Sequence, residues 1–275
     1  MNPIAANLGS PVSRITDNLC LVKARHGLFV ASRIDFYVGG SLVRYGEYSE
    51  EETRLLVALL EPGQTVVEIG ANIGAHTVPM ARRVGPAGHL LAFEVQPVIF
   101  QYLCANIVLN GLLNVVTHDF GCGTREETLH LPPIDYERDR KANFGAVSLQ
   151  REAQHGGLPV RVRPLDDVLR HRKVDLIKLD VEGMEGEVIA GAVETIARDR
   201  PLMYVENDRA ADVREALIRE IRALGYRMWW HRPRLFSPEN FFRVAENDYG
   251  NTVSINMLCV PLERSCPASG LSEVA

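Results

Sequence analysis

The sequence predicts an α/β fold, with a mostly parallel sheet carrying helices on both faces, and three observations support it. Short apolar runs recur along the chain: "TVVEIG", "HLLAFEV", "NVVTHDF", "VDLIKLD" and "PLMYVEN", each apolar nearly throughout instead of alternating. Helical patterns separate them, as expected of strands buried on both faces and joined by crossovers. Polar residues gather after the runs, where an open parallel sheet holds its ligand. They are Glu68 and Asn72, Glu94 and Gln96, His118 and Asp119, Asp180 and Glu182, then Glu206, Asn207 and Asp208.

Composition agrees. With 275 residues, 46% hydrophobic and 24% charged, the chain has the make-up of an ordinary soluble globular protein. A net charge of −5 argues against a nucleic-acid partner bound through a broad basic face. No apolar stretch is long enough to predict a membrane span. The start, "MNPIAANLGSPVSR", shows neither a basic nor an apolar signal region, so no secretory signal is expected. Five scattered cysteines without a CxxC pair fit reduced thiols, hence a cytoplasmic protein. Its partner is expected to be a small molecule or glycan, and a homo-oligomer is left open.

From the N-terminus, "LCLV" and "LFVAS" around "KARHG" predict a hairpin within an extension over residues 1–47. "YSEEETRLLVALLEPGQ" opens the main domain, 48–265, with a helix. Ser49 and Glu52 suit a capping box, Leu55, Leu56, Leu59 and Leu60 form the apolar face, and Pro62-Gly63 supplies the stop. Further on, "EGMEGEVIAGAVETIA" predicts one helix with Met184, Val188, Ala192 and Ile196 as its stripe. In "AADVREALIREIRALGY" the stripe is Val213, Leu217, Ile221 and Leu224. Residues 130–160 and 231–252 are polar and too long for ordinary connections, which marks them as functional loops. Residues 266–275 read as a tail.

The turn "VVEIGANIGAHT" is the most informative stretch. A nicotinamide site wants G-x-G-x-x-G, so that a pyrophosphate can approach the helix N-terminus. Here Glu68 precedes Gly70 and Gly74 in the pattern E-x-G-x-x-x-G. An acid beside a pyrophosphate repels it, but it welcomes a cation. S-adenosylmethionine carries an ammonium and a sulfonium and no phosphate. Gly70, Ala71, Asn72, Gly74 and Thr77 are therefore expected around its methionine part. Glu94 is expected at the ribose, an acid after the second strand being suited to both hydroxyls, and Gln96 is a further expected cofactor contact. His118, Asp119 and Asp180 complete the expected cofactor set.

"VVEIGANIGAHT", "GHLLAFEVQP", "YLCANIVLNG" and "DLIKLDVEGMEGEVIAGA" together resemble the FkbM-like S-adenosylmethionine-dependent methyltransferases over about residues 48–208. The resemblance implies a class I (Rossmann-like) sheet of seven strands, the last antiparallel. It also implies methyl transfer to a hydroxyl of a saccharide or polyketide-like product. Glu68 stands where an aspartate is commoner, and Phe120 follows His118-Asp119 where an alanine is more usual.

Methyl transfer to an alcohol needs alignment plus help with proton loss. Asp180, Glu206 and Asn207 offer hard oxygen ligands for Mg²⁺. A metal-free route would use Asp180, Glu182, Glu206 or His231 as base. Asn143, Phe144, Ser148 and Trp230 are the expected acceptor contacts, with Trp229, Phe236, Phe241 and Phe242 alongside. Competing readings are an N- or carboxyl-methyltransferase, a catalytically inactive cofactor-binding subunit, and an NAD dehydrogenase. No "NPPY"-type turn supports N-methylation.

Overall fold

The computed structural model describes residues 10–136, 143–153 and 155–275. It opens on three strands, β1 (Val12–Arg14), β2 (Leu19–Ala24) and β3 (Gly27–Ser32), paired antiparallel in that order. Helices α1 (Val38–Tyr45) and α2 (Glu50–Ala58) follow. The alternation then begins: β4 (Thr65–Ile69), α3 (Thr77–Val84), β5 (His89–Phe93), α4 (Pro97–Leu109) and β6 (Val115–His118). Three strands make a small side sheet, β7 (Gly121–Cys122), β8 (Glu127–Leu131) and β9 (Leu158–Arg163). Next come α5 (Leu165–Leu169), β10 (Leu176–Leu179), α6 (Glu185–Ala190), α7 (Val193–Asp199), β11 (Leu202–Glu206) and α8 (Ala211–Ala223). The described chain closes with β12 (Tyr226–His231), β13 (Asn256–Pro261) and β14 (Ser272–Glu273).

The main sheet runs β14-β12-β13-β11-β10-β4-β5-β6. Its centre, β11-β10-β4-β5-β6, is parallel, and β13 is inserted antiparallel between β11 and β12. That is the class I methyltransferase arrangement. An eighth strand extends the seven, because the tail pairs Ser272 and Glu273 with β12 and buries Val274 beside them.

Side chains alternate between two cores, as a pleated strand requires. Val66, Leu90, Leu176 and Leu258 face the first core, with the N-terminal strands, α1 and α2. Val67, Leu91, Ile177 and Met203 face the second, with α6 to α8. The N-terminal extension is thus packed on the sheet itself.

Several local expectations change. Ser49 takes a left-handed conformation at φ 41°, and its hydroxyl donates to the Glu52 carboxylate at 3.0 Å, with no cap to a backbone N–H. The expected capping box is therefore absent, because Glu52 turns toward a cavity instead of the helix start. β6 is an edge strand and only half-buried, with Val116 exposed. The single helix expected after Asp180 is two, broken at Gly191, where any Cβ would strike the Gly123 carbonyl oxygen. Val188, Ala192 and Ile196 still share one buried stripe. In α8 Val213 is exposed, and Leu217, Ile218 and Ile221 face inward. β8 and β9 lie at the two ends of the loop expected over residues 130–160. β9 alternates Val160 and Val162 inward with exposed residues between, a pattern that a search for continuous apolar runs passes over.

Candidate active site

A cavity of about 360 Å³ opens at the carboxyl ends of the central parallel strands. One end is lined by Gly70, Ala71, Asn72, Glu94 and Gln96, with Phe120, Gly121 and Cys122 opposite. The other end is lined by Tyr37, Tyr48 and Glu52 from the N-terminal elements, and by Leu235, Thr252, Ser254 and Asn256 from the second long loop. Glu68, Lys178, Asp180, Glu182, Glu206 and Arg209 also face it.

The turn after β4 is held by backbone. Gly70 and Ala71 donate to the Phe93 carbonyl at 3.0 and 2.9 Å, tying the turn to β5. Gly70 sits at φ 83°, and a Cβ there would collide with the Asp180 carbonyl oxygen, so glycine is required for β4 and β10 to end side by side. Asn72 is left-handed at φ 49°, and its backbone N–H donates to Glu94 Oε2 at 3.0 Å. The Gln96 N–H donates to the other oxygen, Oε1, at 2.9 Å. Each Glu94 oxygen thus keeps lone-pair capacity toward the cavity. Burial pushes the Glu94 carboxyl up to about 7.

Glu68 is 1% exposed and accepts the Thr77 hydroxyl at 2.6 Å. Burial drives its carboxyl up to about 7, against the opposing pull of Lys178. Parallel register sets Lys178 between Glu68 on β4 and Tyr204 on β11, and alternation puts all three on the face under the N-terminal elements. Burial pulls the Lys178 ammonium down, yet Asp180, Glu52 and Glu68 together hold it above its ordinary value. Lys178 Nζ lies 3.1 Å from Asp180 Oδ2.

Glu52, expected only as a helix cap, and His76 were not expected at the site. Ser49 donates to Glu52 Oε2, and His76 Nε2 lies 3.5 Å from Oε1. His76 Nδ1 is 2.9 Å from the Thr53 hydroxyl oxygen, and burial keeps this imidazole neutral by pulling it down to about 3. Burial also pushes Glu52 up. The readable signal for Lys178 was a charged residue in the middle of the buried run "LIKL". Glu52 had none, because its helix-start position already explained it.

Arg209 sits among acids, donating to Glu182 at 2.5 Å and lying 3.5 Å from Glu206 Oε2 and 3.3 Å from Asp208 Oδ1. Burial, then Asp180, Glu182 and Asp208, push the Glu206 carboxyl well above the usual carboxylate range, against the opposing pull of Arg209. Among the described residues, Asp180, Glu182 and Glu206 are the carboxylates close enough to share a cation. Of the expected Mg²⁺ set, Asp180 and Glu206 face the cavity, whereas Asn207 is buried outside its lining, its Nδ2 3.4 Å from both the Arg214 carbonyl oxygen and the Met257 sulfur and its Oδ1 without a partner among the described residues. In its place Glu182 converges, already engaged by a guanidinium.

Other expected residues fall elsewhere. Gly74 and Thr77 lie beneath the turn, outside the lining. His118 stacks on Phe93 at 4.5 Å and Asp119 is exposed, so the wall there is Phe120, Gly121 and Cys122. His231 stands off the cavity, its Nδ1 2.7 Å from the Tyr204 hydroxyl. Phe144 is 2% exposed and packs near Tyr136, which makes it an anchor. Ser148 is bonded to the Glu182 carbonyl, and Trp230 belongs to the second core under the Arg232 guanidinium. Asn143 alone of the expected acceptor contacts lines the cavity.

Residues 68–228, more than half of the 275-residue chain, match the model of the methyltransferase FkbM domain. The chain belongs to the FkbM methyltransferase family. It is similar to methyltransferase sdnD of Sordaria araneosa, 30% identical over 199 residues covering 61% of this chain and 76% of the relative. It is also similar to the 2-O-methyltransferase NoeI of Sinorhizobium fredii (strain NBRC 101917 / NGR234), 28% identical over 170 residues, 56% of this chain and 67% of the relative. Among solved structures, methyltransferase FkbM from Methylobacillus flagellatus KT superposes with a TM-score of 0.47 at 16% identity, covering 71% of this chain and 43% of that one. Aeropyrum pernix fibrillarin, solved with natively bound S-adenosyl-L-methionine, gives a TM-score of 0.45 at 14% identity, covering 90% of this chain and 98% of that one.

The cofactor of this FkbM methyltransferase is S-adenosylmethionine, and the lining fits it. Buried carboxylates, Glu68 before the turn and Glu94 beside it, suit a cation, and Glu94 is pre-oriented to accept hydroxyl donors. Among the described residues, no helix is long and apolar enough to cross a membrane.

Proposed function

We propose that this methyltransferase transfers the methyl group to a hydroxyl oxygen of a small saccharide or polyketide-like acceptor. The observation that carries the reading is Asp180, a strand-end carboxylate facing the cavity and held at 3.1 Å by the buried Lys178 ammonium. When bound, S-adenosylmethionine supplies an electrophilic methyl group on its sulfonium. Glu94 would accept the ribose hydroxyls, and Glu68 with the turn around Asn72 would hold the methionine end. Asp180 would take the proton of the acceptor hydroxyl as carbon–oxygen bond formation proceeds, oriented for this by Lys178. Tyr37, Tyr48, Leu235 and Thr252 offer the mixed apolar and hydroxyl wall that a neutral polyol needs. The name of the relative from Sinorhizobium fredii, a 2-O-methyltransferase, supports oxygen as the target. Free, partly buried cysteines support a reducing, cytoplasmic setting.

The test is methyl transfer from radiolabelled S-adenosylmethionine to methyl glycosides and hydroxylated polyketides, with amines and carboxylic acids as controls. Label in an ether, lost in Asp180→Asn with S-adenosylhomocysteine affinity intact, is expected. Label found only in amines or esters would replace this reading.

A further inference from the structure

We infer that Gln96 is a positioning residue for the cofactor site, acting by holding residues 143–149 as a strap across the cavity and thereby setting how fast cofactor leaves. The inference rests on the cofactor lying between the turn and Glu94. Gln96 was expected to touch that cofactor, yet both polar atoms of its amide are taken. Its Nε2 donates to the Phe144 carbonyl, and its Oε1 accepts the Tyr136 hydroxyl at 3.0 Å. Gln96 is 3% exposed, so these bonds lie where water competes poorly.

The strap spans the site from the end of β5 to the end of β10. Asn143 Oδ1 accepts from the N–H groups of Gly145 and Ala146, both at 3.2 Å, which folds the strap into a tight turn. Gly145 lies against Asn72, since a Cβ there would come within 2.8 Å of Asn72 Nδ2. At the far end the Ser148 hydroxyl donates to the Glu182 carbonyl at 2.5 Å. Gly145, Ala146 and Val147 face the cavity, while Asn143, Ala146 and Ser148 are exposed, so one layer of chain separates cavity from solvent. From Asn143 to Leu149 only Phe144 is buried, and so few apolar anchors mean that a few hydrogen bonds decide whether the strap stays shut.

Surface plasmon resonance with S-adenosylhomocysteine tests this without any acceptor. Each lost bond is worth about 1 kcal/mol, roughly fivefold in rate. Tyr136→Phe and Ser148→Ala should each speed dissociation several-fold, and Gln96→Ala should speed it about tenfold or more. Thermal melting of each variant should stay near that of the wild type. If Gln96→Ala does not fold, the other two variants carry the same readout. Fast release confined to Gln96→Ala would mean direct cofactor contact and would overturn the inference, as would dissociation rates unchanged in all variants. If S-adenosylhomocysteine fails to bind the wild type at all, the cofactor reading itself falls.

Discussion

At one end of the cavity, Glu94 is held by two backbone N–H groups, from the neighbouring turn and from its own strand end. At the other end, Glu52 is met by side chains alone: Ser49 on its own helix, His76 ahead of α3, and the charge of Lys178 on β10. The first end is made from backbone geometry that any strand–turn–helix unit supplies, adjusted by two or three special residues. The second is a meeting of charges from distant segments. Backbone-built sites tolerate change except where conformation is exacting, whereas a buried charge network fails when one member leaves unpaired partners.

The largest expected effect tests the backbone-built end at its one exacting point. Gly70→Ala combines a left-handed conformation with a clash against the Asp180 carbonyl oxygen. It should abolish a native melting transition, and a melting temperature within about 2 °C of wild type would remove the argument. Second is Lys178→Met, which leaves Asp180, Glu52 and Glu68 without their shared cation. Urea unfolding should show a loss of about 3 kcal/mol or more, as when one partner of a buried ion pair is deleted. A loss under about 1 kcal/mol would mean that the network is less coupled than the geometry implies.

Third, Glu94→Gln keeps the shape but replaces one acceptor oxygen with a donor. S-adenosylhomocysteine affinity should fall about tenfold or more by calorimetry, and urea unfolding should show a loss of about 1–3 kcal/mol, because one backbone N–H, of Asn72 or Gln96, loses its acceptor. Equal affinity would place the ribose elsewhere. A smaller effect concerns pH. Glu68 and Glu94, both pushed up to about 7 by burial, carry protons in much of the unliganded protein at mildly acid pH. A cationic cofactor and its hydroxyl donors favour the ionised carboxylates, so binding should release protons and tighten as pH rises through about 7. Calorimetry in buffers of differing ionisation enthalpy measures this, and proton uptake would contradict it. Smallest of all, Asp119→Ala should change S-adenosylhomocysteine affinity by less than about twofold, because the side chain is exposed and off the cavity.

The same contrast explains what could be read in advance. Continuous apolar runs identified β4, β5, β10 and β11, all buried on both faces. β9 escaped notice because it is buried on one face only, and β14 because two residues carry no periodic signal. Gln96 lay in the right place, but its amide turns to the strap, and adjacency to a motif does not say which way a side chain points. Asn207 and His231 come at strand ends as the cavity carboxylates do, yet Asn207 Nδ2 turns to Met257 and Arg214 and His231 to Tyr204.

The sequence by itself determined the parallel sheet, the turn that needs Gly70, and the carboxylates ending each central strand. These depend on local periodicity and on which residues a tight turn admits. Only the tertiary structure decided that Glu52 and Lys178 share the cavity, that Arg209 lies among the acids near Asp180, and that residues 143–149 cross it. Those pairings join positions far apart in the chain. Their energies come from burial and from charges brought together, which exist only once the sheet has formed and the N-terminal elements cover its face.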